Sequence, residues 1–218
     1  MKNGARACVM SCAGLLAFVL CIVAKPALAD EEAGTCLVRA ARAQIGVTTL
    51  YDPAYRRISY PNGDVPSDRG VCTDVVIRAY RAVGLDLQRL VHEDMREAWD
   101  AYPKLWGLAG PDRNIDHRRV PNLRAFFKRH AQALQVTRDP SEFRPGDIVT
   151  WKLTSGVPHV GFVSDRRTRA GVPLIIHNIG AGTVEEDILF QFEITGHYRH
   201  LPDGCRSGLI PTHPRDSE

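Results

Sequence analysis

Three residues of the sequence are of the types that together carry out nucleophilic catalysis: Cys72, His159 and His177. Cys72 begins an apolar helical pattern, and at a helix start the unpaired backbone N–H groups and the helix dipole favour a thiolate. His159 begins a β-branched run after a Gly-Val-Pro turn, and His177 ends the next apolar run. A thiol, an imidazole base and a second polar group that fixes the imidazole tautomer are the parts of a cysteine hydrolase. Taken singly, the cysteine could equally be an inert core residue and His159 a surface-loop histidine.

The sequence predicts that these residues lie on a helix and on two strands of one α+β domain. Apolar residues at helical spacing indicate four helices, over residues 35–46, 72–83, 91–101 and 121–134. Short β-branched runs then indicate strands over residues 147–153, 159–164 and 173–178, with one or two more over residues 188–200. Helices followed by strands favour an antiparallel sheet over alternating βαβ units. Neighbouring antiparallel strands could bring His177 beside His159, with the helix of Cys72 packed on their face.

A long loop precedes the helix of Cys72. Residues 47–70 are rich in Tyr, Pro, Asp and Gly, and long loops in compact domains are usually either functional or disordered. Three tyrosines favour a functional loop that contacts substrate or supplies a hydrogen-bond donor near the thiol: Tyr51, Tyr55 and Tyr60. The sequence does not choose among them.

Residues 1–29 have the features of a cleavable secretory signal peptide. Lys2 and Arg6 precede an apolar stretch, and Ala27-Leu28-Ala29 forms a small-x-small cleavage site. The alternative is an uncleaved membrane anchor, since the apolar stretch is just long enough to span a bilayer. Cleavage removes three of the 28 basic residues and none of the 25 acidic ones. We therefore expect a neutral, periplasmic or secreted chain without a stable membrane anchor and without the basic surface that binds nucleic acid.

The remaining chain is predicted to form one domain over residues 30–205, with a flexible tail over residues 206–218. It keeps three cysteines, Cys36, Cys72 and Cys205, and an odd number in an oxidising compartment leaves at least one unpaired. We predict a Cys36–Cys205 disulfide, because the two ends of a domain often lie close together at its surface. This pairing leaves Cys72 as the free thiol. The alternative is three free thiols, since the sequence does not fix the Cα separation that a disulfide needs.

Four segments resemble the motifs of a known superfamily: GVCTDVVIRAYRAVGLDL, RPGDIVTW, PHVGFVSD and PLIIHNIGAG. In this order they are similar to the NlpC-type cell-wall cysteine peptidases, a papain-like superfamily of bacterial envelope enzymes. More closely, residues 38–200 resemble the YijF-like family, a domain of unknown function in that superfamily, through NIDHRRVPNL and HNIGAG. The resemblance implies a papain-like, NlpC-type fold, with N-terminal helices packed on a C-terminal antiparallel sheet. It also implies Cys72 as the nucleophile, His159 as the base and His177 as the orienting residue.

The sequence departs from typical NlpC-type enzymes beside the cysteine. Those enzymes have an aspartate before the cysteine and Ser-Gly after it, whereas here Val71 precedes Cys72 and Thr73-Asp74 follow it. We therefore expect substrate recognition to differ from the usual one.

These features together predict a cysteine hydrolase, an amidase or endopeptidase, that cleaves an amide bond of peptidoglycan stem peptides and needs no cofactor. The paired arginines Arg118-Arg119 or Arg56-Arg57 are candidates to bind the free carboxylates of such a substrate, although paired arginines are also common on solvated surfaces. Two other classes stay open. One is a non-catalytic envelope module with a papain-like cleft. The other is a zinc-dependent hydrolase, against which the sequence has no closely spaced pair of metal ligands.

Overall fold

The computed structural model describes residues 24–202 of the 218-residue chain. Residues 1–23 of the predicted signal peptide lie outside the described residues, as do Cys205 and the predicted tail. The predicted cleavage site after Ala29 falls within the first helix, α1 (Ala24–Arg42). No helix in the described part of the chain is both long enough and apolar enough to cross a membrane.

The helices come first and most of the strands follow. The other helices are α2 (Cys72–Ala82), α3 (Leu87–Glu97) and α4 (Val120–His130), with 3-10 turns at Trp99–Ala101, Asp116–Arg118 and Pro140–Glu142. The strands are β1 (Leu50–Tyr51), β2 (Arg69–Gly70), β3 (Gln132–Leu134), β4 (Ile148–Lys152), β5 (Pro158–Arg167), β6 (Pro173–Asn178), β7 (Thr183–Glu186) and β8 (Glu193–Arg199).

Six of the strands form one antiparallel sheet in the order β3-β8-β4-β5-β6-β7. The two short strands β1 and β2 form a separate parallel pair. The mixed α+β class that the sequence predicts is therefore confirmed, with β5 and β6 as neighbours near one end of the sheet.

The two faces of the six-stranded sheet bury different apolar clusters. The face that carries Val160, Phe162 and Ile176 packs against the helices, where the buried aromatic side chains include Tyr80, Phe126 and Phe127. The opposite face carries Trp151, Val163 and Ile175 and is covered by Phe143, Ile188 and Leu189. The sheet is thus buried on both sides, and a polar side chain on either face needs a partner.

The observed elements differ from the predicted bounds where tertiary contacts intervene. The third helix begins at Leu87, because the Asp86 side chain caps it by accepting a hydrogen bond from the Gln88 N–H at 3.1 Å. The helix predicted over 121–134 ends at His130, and the residues beyond it pair as β3 with β8 at the sheet edge. The strand β7 is absent from the predicted set because its sequence, TVEE, carries a single apolar side chain.

Candidate active site

The backbone that leads into Cys72 is fixed at Gly70. The Gly70 carbonyl accepts hydrogen bonds from the Asp52 N–H at 3.1 Å and from the Asn178 side chain at 3.2 Å. A Cβ atom on Gly70 would lie 2.9 Å from the Cβ of Asp74, so a larger residue does not fit. Both the tyrosine-containing loop and the HNIGAG segment therefore hold the start of α2.

The HNIGAG segment also packs directly against that loop. The Thr183 N–H donates to the Thr48 carbonyl at 2.8 Å. Gly182 has a positive φ of +88°, and a Cβ atom there would lie 2.6 Å from the same carbonyl oxygen. The motif is thus a junction that needs glycine for both its conformation and its close approach.

Cys72 is the first residue of α2, and its thiol is buried. Burial raises the pKa of Cys72 to about 12, although the backbone N–H of Val160 acts in the opposite direction. A helix start favours the thiolate and would lower the pKa of Cys72, whereas here the pKa is raised. Cys72 is only 5% exposed, so desolvation outweighs the stabilisation of a thiolate by the N-terminal N–H groups. In this structure Cys72 is a neutral thiol that lies beside the beginning of β5.

His159 and His177 form a direct pair across β5 and β6. The register pairs Phe162 with Ile176, and continued towards the end of β6 it sets His177 opposite Gly161. His159, two residues before Gly161, is then a diagonal neighbour on the same face of the sheet. The two rings meet edge to face, with His159 Nε2 and His177 Nδ1 3.0 Å apart.

Glu186 continues this pair into the next strand. It lies opposite Ile175 in the β6–β7 register and so shares a sheet face with His177. One carboxylate oxygen, Oε1, lies 3.0 Å from His177 Nε2. The side chain of Glu186 is 48% exposed whereas that of His177 is fully buried, so the carboxylate is the solvent end of the row. The sequence-based site lacks Glu186, and the signal that could have found it is the strand that follows HNIGAG.

Both histidines favour the neutral form. Burial lowers the pKa of His159 to about 3, and the neighbouring His177 adds to this effect. Burial also lowers the pKa of His177, while the Glu186 carboxylate opposes the shift. Within the described residues no hydrogen bond joins the Cys72 thiol to the His159 ring. The thiol meets β5 at the backbone N–H of Val160, the residue after His159, while the His159 ring shares a sheet face with Trp151. Both the thiol and the imidazole favour the neutral form.

The three tyrosines of the loop go to different places. Tyr51 lies opposite Gly70 in the β1–β2 pair, two residues before Cys72. Partial burial and the nearby Cys72 and Asp74 raise its pKa. Tyr55 instead exchanges hydrogen bonds with Asp112 and Asn114. Tyr60 packs edge to face on His92 and lies under the Arg113 guanidinium. Of the three candidates, Tyr51 is the one that the structure brings near Cys72.

Arg118 has its partners inside the protein. Its guanidinium donates two hydrogen bonds to the Asp74 carboxylate, both at 2.9 Å, and two more to the carbonyls of Asp52 and Ala54 at 3.1 Å. Both charged side chains are 3% exposed. Asp74 also accepts a hydrogen bond from the Val71 N–H at 2.7 Å. We do not retain Arg118 as a substrate ligand, because this ion pair ties the loop to the first turn of α2.

The remaining arginine candidates lie nearer the surface. Arg119 pairs with Asp116 at 3.1 Å and covers the Trp106 ring at 3.9 Å. Arg56 pairs with Asp52 at 2.8 Å, and Arg57 is exposed. Within residues 24–202, none of these three arginines forms a hydrogen bond or ion pair with Cys72 or His159.

Two further features of the described residues bear on the site, the state of the cysteines and the search for a metal-binding group. Cys72 is a free cysteine, and Cys36 is disulfide-bonded. Because Cys205 lies outside the described residues, the predicted Cys36–Cys205 pairing stays a prediction. Residues 24–202 contain no group of three or more His, Cys, Asp or Glu side chains arranged to hold a metal ion.

Comparisons with known proteins find similar chains. The family model of a domain of unknown function, DUF1287, matches residues 38–200. Uncharacterized protein YijF of Escherichia coli (strain K12) is 54% identical over 178 residues, which cover 81% of this chain and 87% of that protein. Two solved structures, NlpC1 and NlpC2 from Trichomonas vaginalis, are 14% and 16% identical, each with a TM-score of 0.39. The matches cover 76% and 79% of this chain but only 43% and 47% of the two NlpC chains. This chain therefore spans less than half the length of each of those proteins.

Proposed function

The chain belongs to the DUF1287 family, and we propose that it is a cysteine hydrolase that cleaves an amide bond in the cell envelope. Cys72 is the nucleophile, His159 the base and His177 the residue that orients His159. The observation that supports this most is the row of Glu186, His177 and His159, joined by two 3.0 Å contacts, which ends beside the strand position that the thiol approaches.

The chemistry proceeds from the neutral pair. His159 Nε2 faces His177, so Nδ1 is the nitrogen that takes the Cys72 proton as the sulfur attacks the amide carbonyl carbon. The resulting imidazolium protonates the amine as the C–N bond breaks, which leaves a thioester on Cys72. His159 then removes a proton from water, and the hydroxide releases the acid and frees the thiol.

The negative oxygen of the tetrahedral intermediate needs donors that are already in place. The backbone N–H of Cys72, at the N-terminus of α2, is one such group, and removing an oxyanion donor typically costs about 2.7–4 kcal/mol. We assign the Tyr51 hydroxyl as the second donor, because Tyr51 lies opposite Gly70, two residues before Cys72. Gly70 and Asp74 hold this backbone, so the donor is preorganised.

The substrate class is inferred from compartment and chemistry together. A signal peptide over residues 1–29 would deliver the mature chain to the periplasm or the outside of the cell. Peptidoglycan stem peptides are the abundant amide substrate there, and the resemblance to NlpC-type cell-wall peptidases points to the same class.

The decisive experiment is a digestion of purified sacculi. Mature wild-type protein, Cys72→Ala and His159→Ala are incubated with sacculi, and the released fragments are analysed by mass spectrometry. We expect new termini at one type of amide bond with the wild type and none with either variant, because nucleophile and base act as a unit. His130→Ala is the matched control, since His130 ends α4 and pairs with Asp94 at the surface. Equal release by Cys72→Ala and wild type would overturn the proposal.

The burial of Cys72 favours a second candidate, a non-catalytic envelope module that binds a cell-wall peptide or glycan at the same site. A thiol with a pKa of about 12 is a weak nucleophile until a base removes its proton. In this case wild type and Cys72→Ala would both sediment with sacculi and neither would release fragments.

A further inference from the structure

Glu186 ends a row of three side chains that crosses three adjacent strands on one sheet face. His159 on β5, His177 on β6 and Glu186 on β7 are successive diagonal neighbours. The two ring contacts use different nitrogens of His177, Nδ1 towards His159 and Nε2 towards Glu186. Both nitrogens of the His177 ring are therefore hydrogen-bonded. The partner of one nitrogen determines whether the other nitrogen carries the proton.

The protons of this row follow from what each group can donate. An ionised carboxylate only accepts hydrogen bonds, so His177 Nε2 carries a proton and donates it to Glu186. A neutral imidazole has one N–H, so His177 Nδ1 is a bare acceptor. His159 Nε2 then carries the proton that His177 Nδ1 accepts. The His159 Nδ1 atom is left with its lone pair free.

We propose that Glu186 is a positioning residue that acts through His177 to hold His159 in the tautomer with an unprotonated Nδ1. This role rests on the proposed function for its consequence, since the bare Nδ1 is the atom that takes the Cys72 proton. The position of Glu186 suits it: half exposed, its carboxylate stays solvated, while the two rings that it orders are shielded from water.

Two variants test this role. Glu186→Gln keeps the shape and replaces one acceptor oxygen by a donor NH2 group, while Glu186→Lys places a group that only donates at the same position. A donor facing His177 Nε2 moves the His177 proton to Nδ1. His177 Nδ1 would then donate to His159 Nε2, and His159 would carry its proton on Nδ1, where it cannot act as the base. In a Ser-His-Asp triad, changing the carboxylate to an amide lowers activity because the histidine then holds the wrong tautomer. Residues that act on a functional side chain only through a neighbour typically change activity about 10- to 100-fold when they are replaced.

The first measurement is the tautomer itself, read by NMR from long-range nitrogen–proton couplings in histidine-labelled mature protein. In the wild type we expect Nε2-protonated His177 and His159, with assignments from His177→Gln and His159→Gln. Glu186→Lys should shift both rings towards the Nδ1-protonated form, and Glu186→Gln should do so in part, because its amide oxygen can still accept. Glu193→Lys, at an exposed strand glutamate elsewhere in the sheet, should shift neither ring. Wild-type rings protonated on Nδ1, or rings unchanged in Glu186→Lys, would overturn the proposal.

The second measurement is turnover of sacculi. Glu186→Lys should lower kcat about 10- to 100-fold with KM unchanged. Glu186→Gln should lower kcat less, and Glu186→Asp should stay closer to the wild type because it is again an acceptor. Unchanged kcat in Glu186→Lys would also overturn the proposal. The tautomer measurement needs no substrate, so it decides the role of Glu186 even if the digestion of sacculi shows that the proposed hydrolase function is wrong.

Discussion

A Cβ atom on Gly161 would lie 3.0 Å from the Cβ of His177 and 2.8 Å from a methyl carbon of Ile175. Residue 161 stands opposite His177 in the sheet, between the two histidines of the candidate site. The diagonal contact between His159 and His177 therefore depends on the absence of a side chain at this position. This explains in physical terms why the His-Val-Gly segment ends in glycine.

The first prediction concerns this contact. Gly161→Ala should separate β5 from β6 locally, lengthen the His159–His177 contact and lower turnover at least 10-fold, with a stability loss of about 1–3 kcal/mol from overpacking. Denaturant unfolding and digestion of sacculi measure the two effects. Gly110→Ala is the control, because a Cβ atom there meets nothing within 4 Å. Full activity in Gly161→Ala would show that the close approach is not needed.

The second prediction concerns the reactivity of Cys72. Its pKa is raised to about 12 by burial, so the thiolate fraction at neutral pH is far below that of an ordinary thiol. Alkylation by iodoacetamide should be slow at pH 7, rise steadily with pH, and show no plateau on the acidic side. The urea-unfolded protein, in which the thiol is solvated, should react as an ordinary cysteine. Rapid alkylation of the folded protein at pH 5 would indicate a thiolate–imidazolium pair instead.

The sequence predicted the elements of this site better than its electrostatics. Helical spacing after Gly70 predicts α2, and the β-branched runs predict the strands of His159 and His177, because these elements carry their own local patterns. Glu186 lies on a strand whose sequence is short and polar, so it becomes visible only through pairing with β6. The helix start at Cys72 suggests a thiolate, but the burial that reverses the shift depends on how α2 packs against β5.

Arg118 illustrates the same limit for charged residues. In the sequence it stands in an arginine pair and resembles a carboxylate ligand for a substrate. The carboxylate that it meets is Asp74, 44 residues away along the chain. Nothing in the local pattern distinguishes an arginine that binds substrate from one that ties a loop to a helix.

The third prediction concerns stability in acid. Burial lowers the pKa of His159 to about 3, below its ordinary value of 6.5, so the folded protein resists protonating this ring. The stabilising effect of the neutral ring is present above pH 6.5 and is lost as the pH falls from about 6.5 to about 3. His159→Gln should therefore show a shallower fall in unfolding free energy over this range, by an amount on the order of a few kcal/mol. If the unfolding free energy of the wild type and of His159→Gln fell equally steeply over this pH range, the lowered pKa of His159 would be contradicted.

The fourth prediction concerns the disulfide. Cys36 is disulfide-bonded and Cys72 is free, so alkylation of the unreduced mature protein after unfolding should label Cys72 alone. A peptide map without reduction should join the Cys36 peptide to the Cys205 peptide. A Cys36–Cys72 peptide would contradict both the structure and the assignment of Cys72 as the nucleophile.

The last prediction concerns the ion pair that holds the first turn of α2. Arg118 binds Asp74 through two parallel hydrogen bonds while its other donors hold the loop carbonyls of Asp52 and Ala54. Lysine keeps the charge but not this planar fork, so Arg118→Lys should loosen the loop and lower activity as well as stability. Arg118→Ala leaves Asp74 buried and unpaired, which typically costs about 3–5 kcal/mol.

A double variant distinguishes the cost of leaving Asp74 unpaired from the loss of the contacts that hold the loop. Removing Asp74 as well, in Arg118→Ala with Asp74→Ala, should recover part of the lost unfolding free energy, because no buried charge is then left without a partner. Activity should not recover with it, since the loop and the Val71 N–H have lost their anchor. Arg89→Lys is the control, as Arg89 pairs with Glu93 at the exposed surface of α3. If Arg118→Lys matched the wild type in both unfolding and turnover, the bidentate pair would not be what positions Cys72.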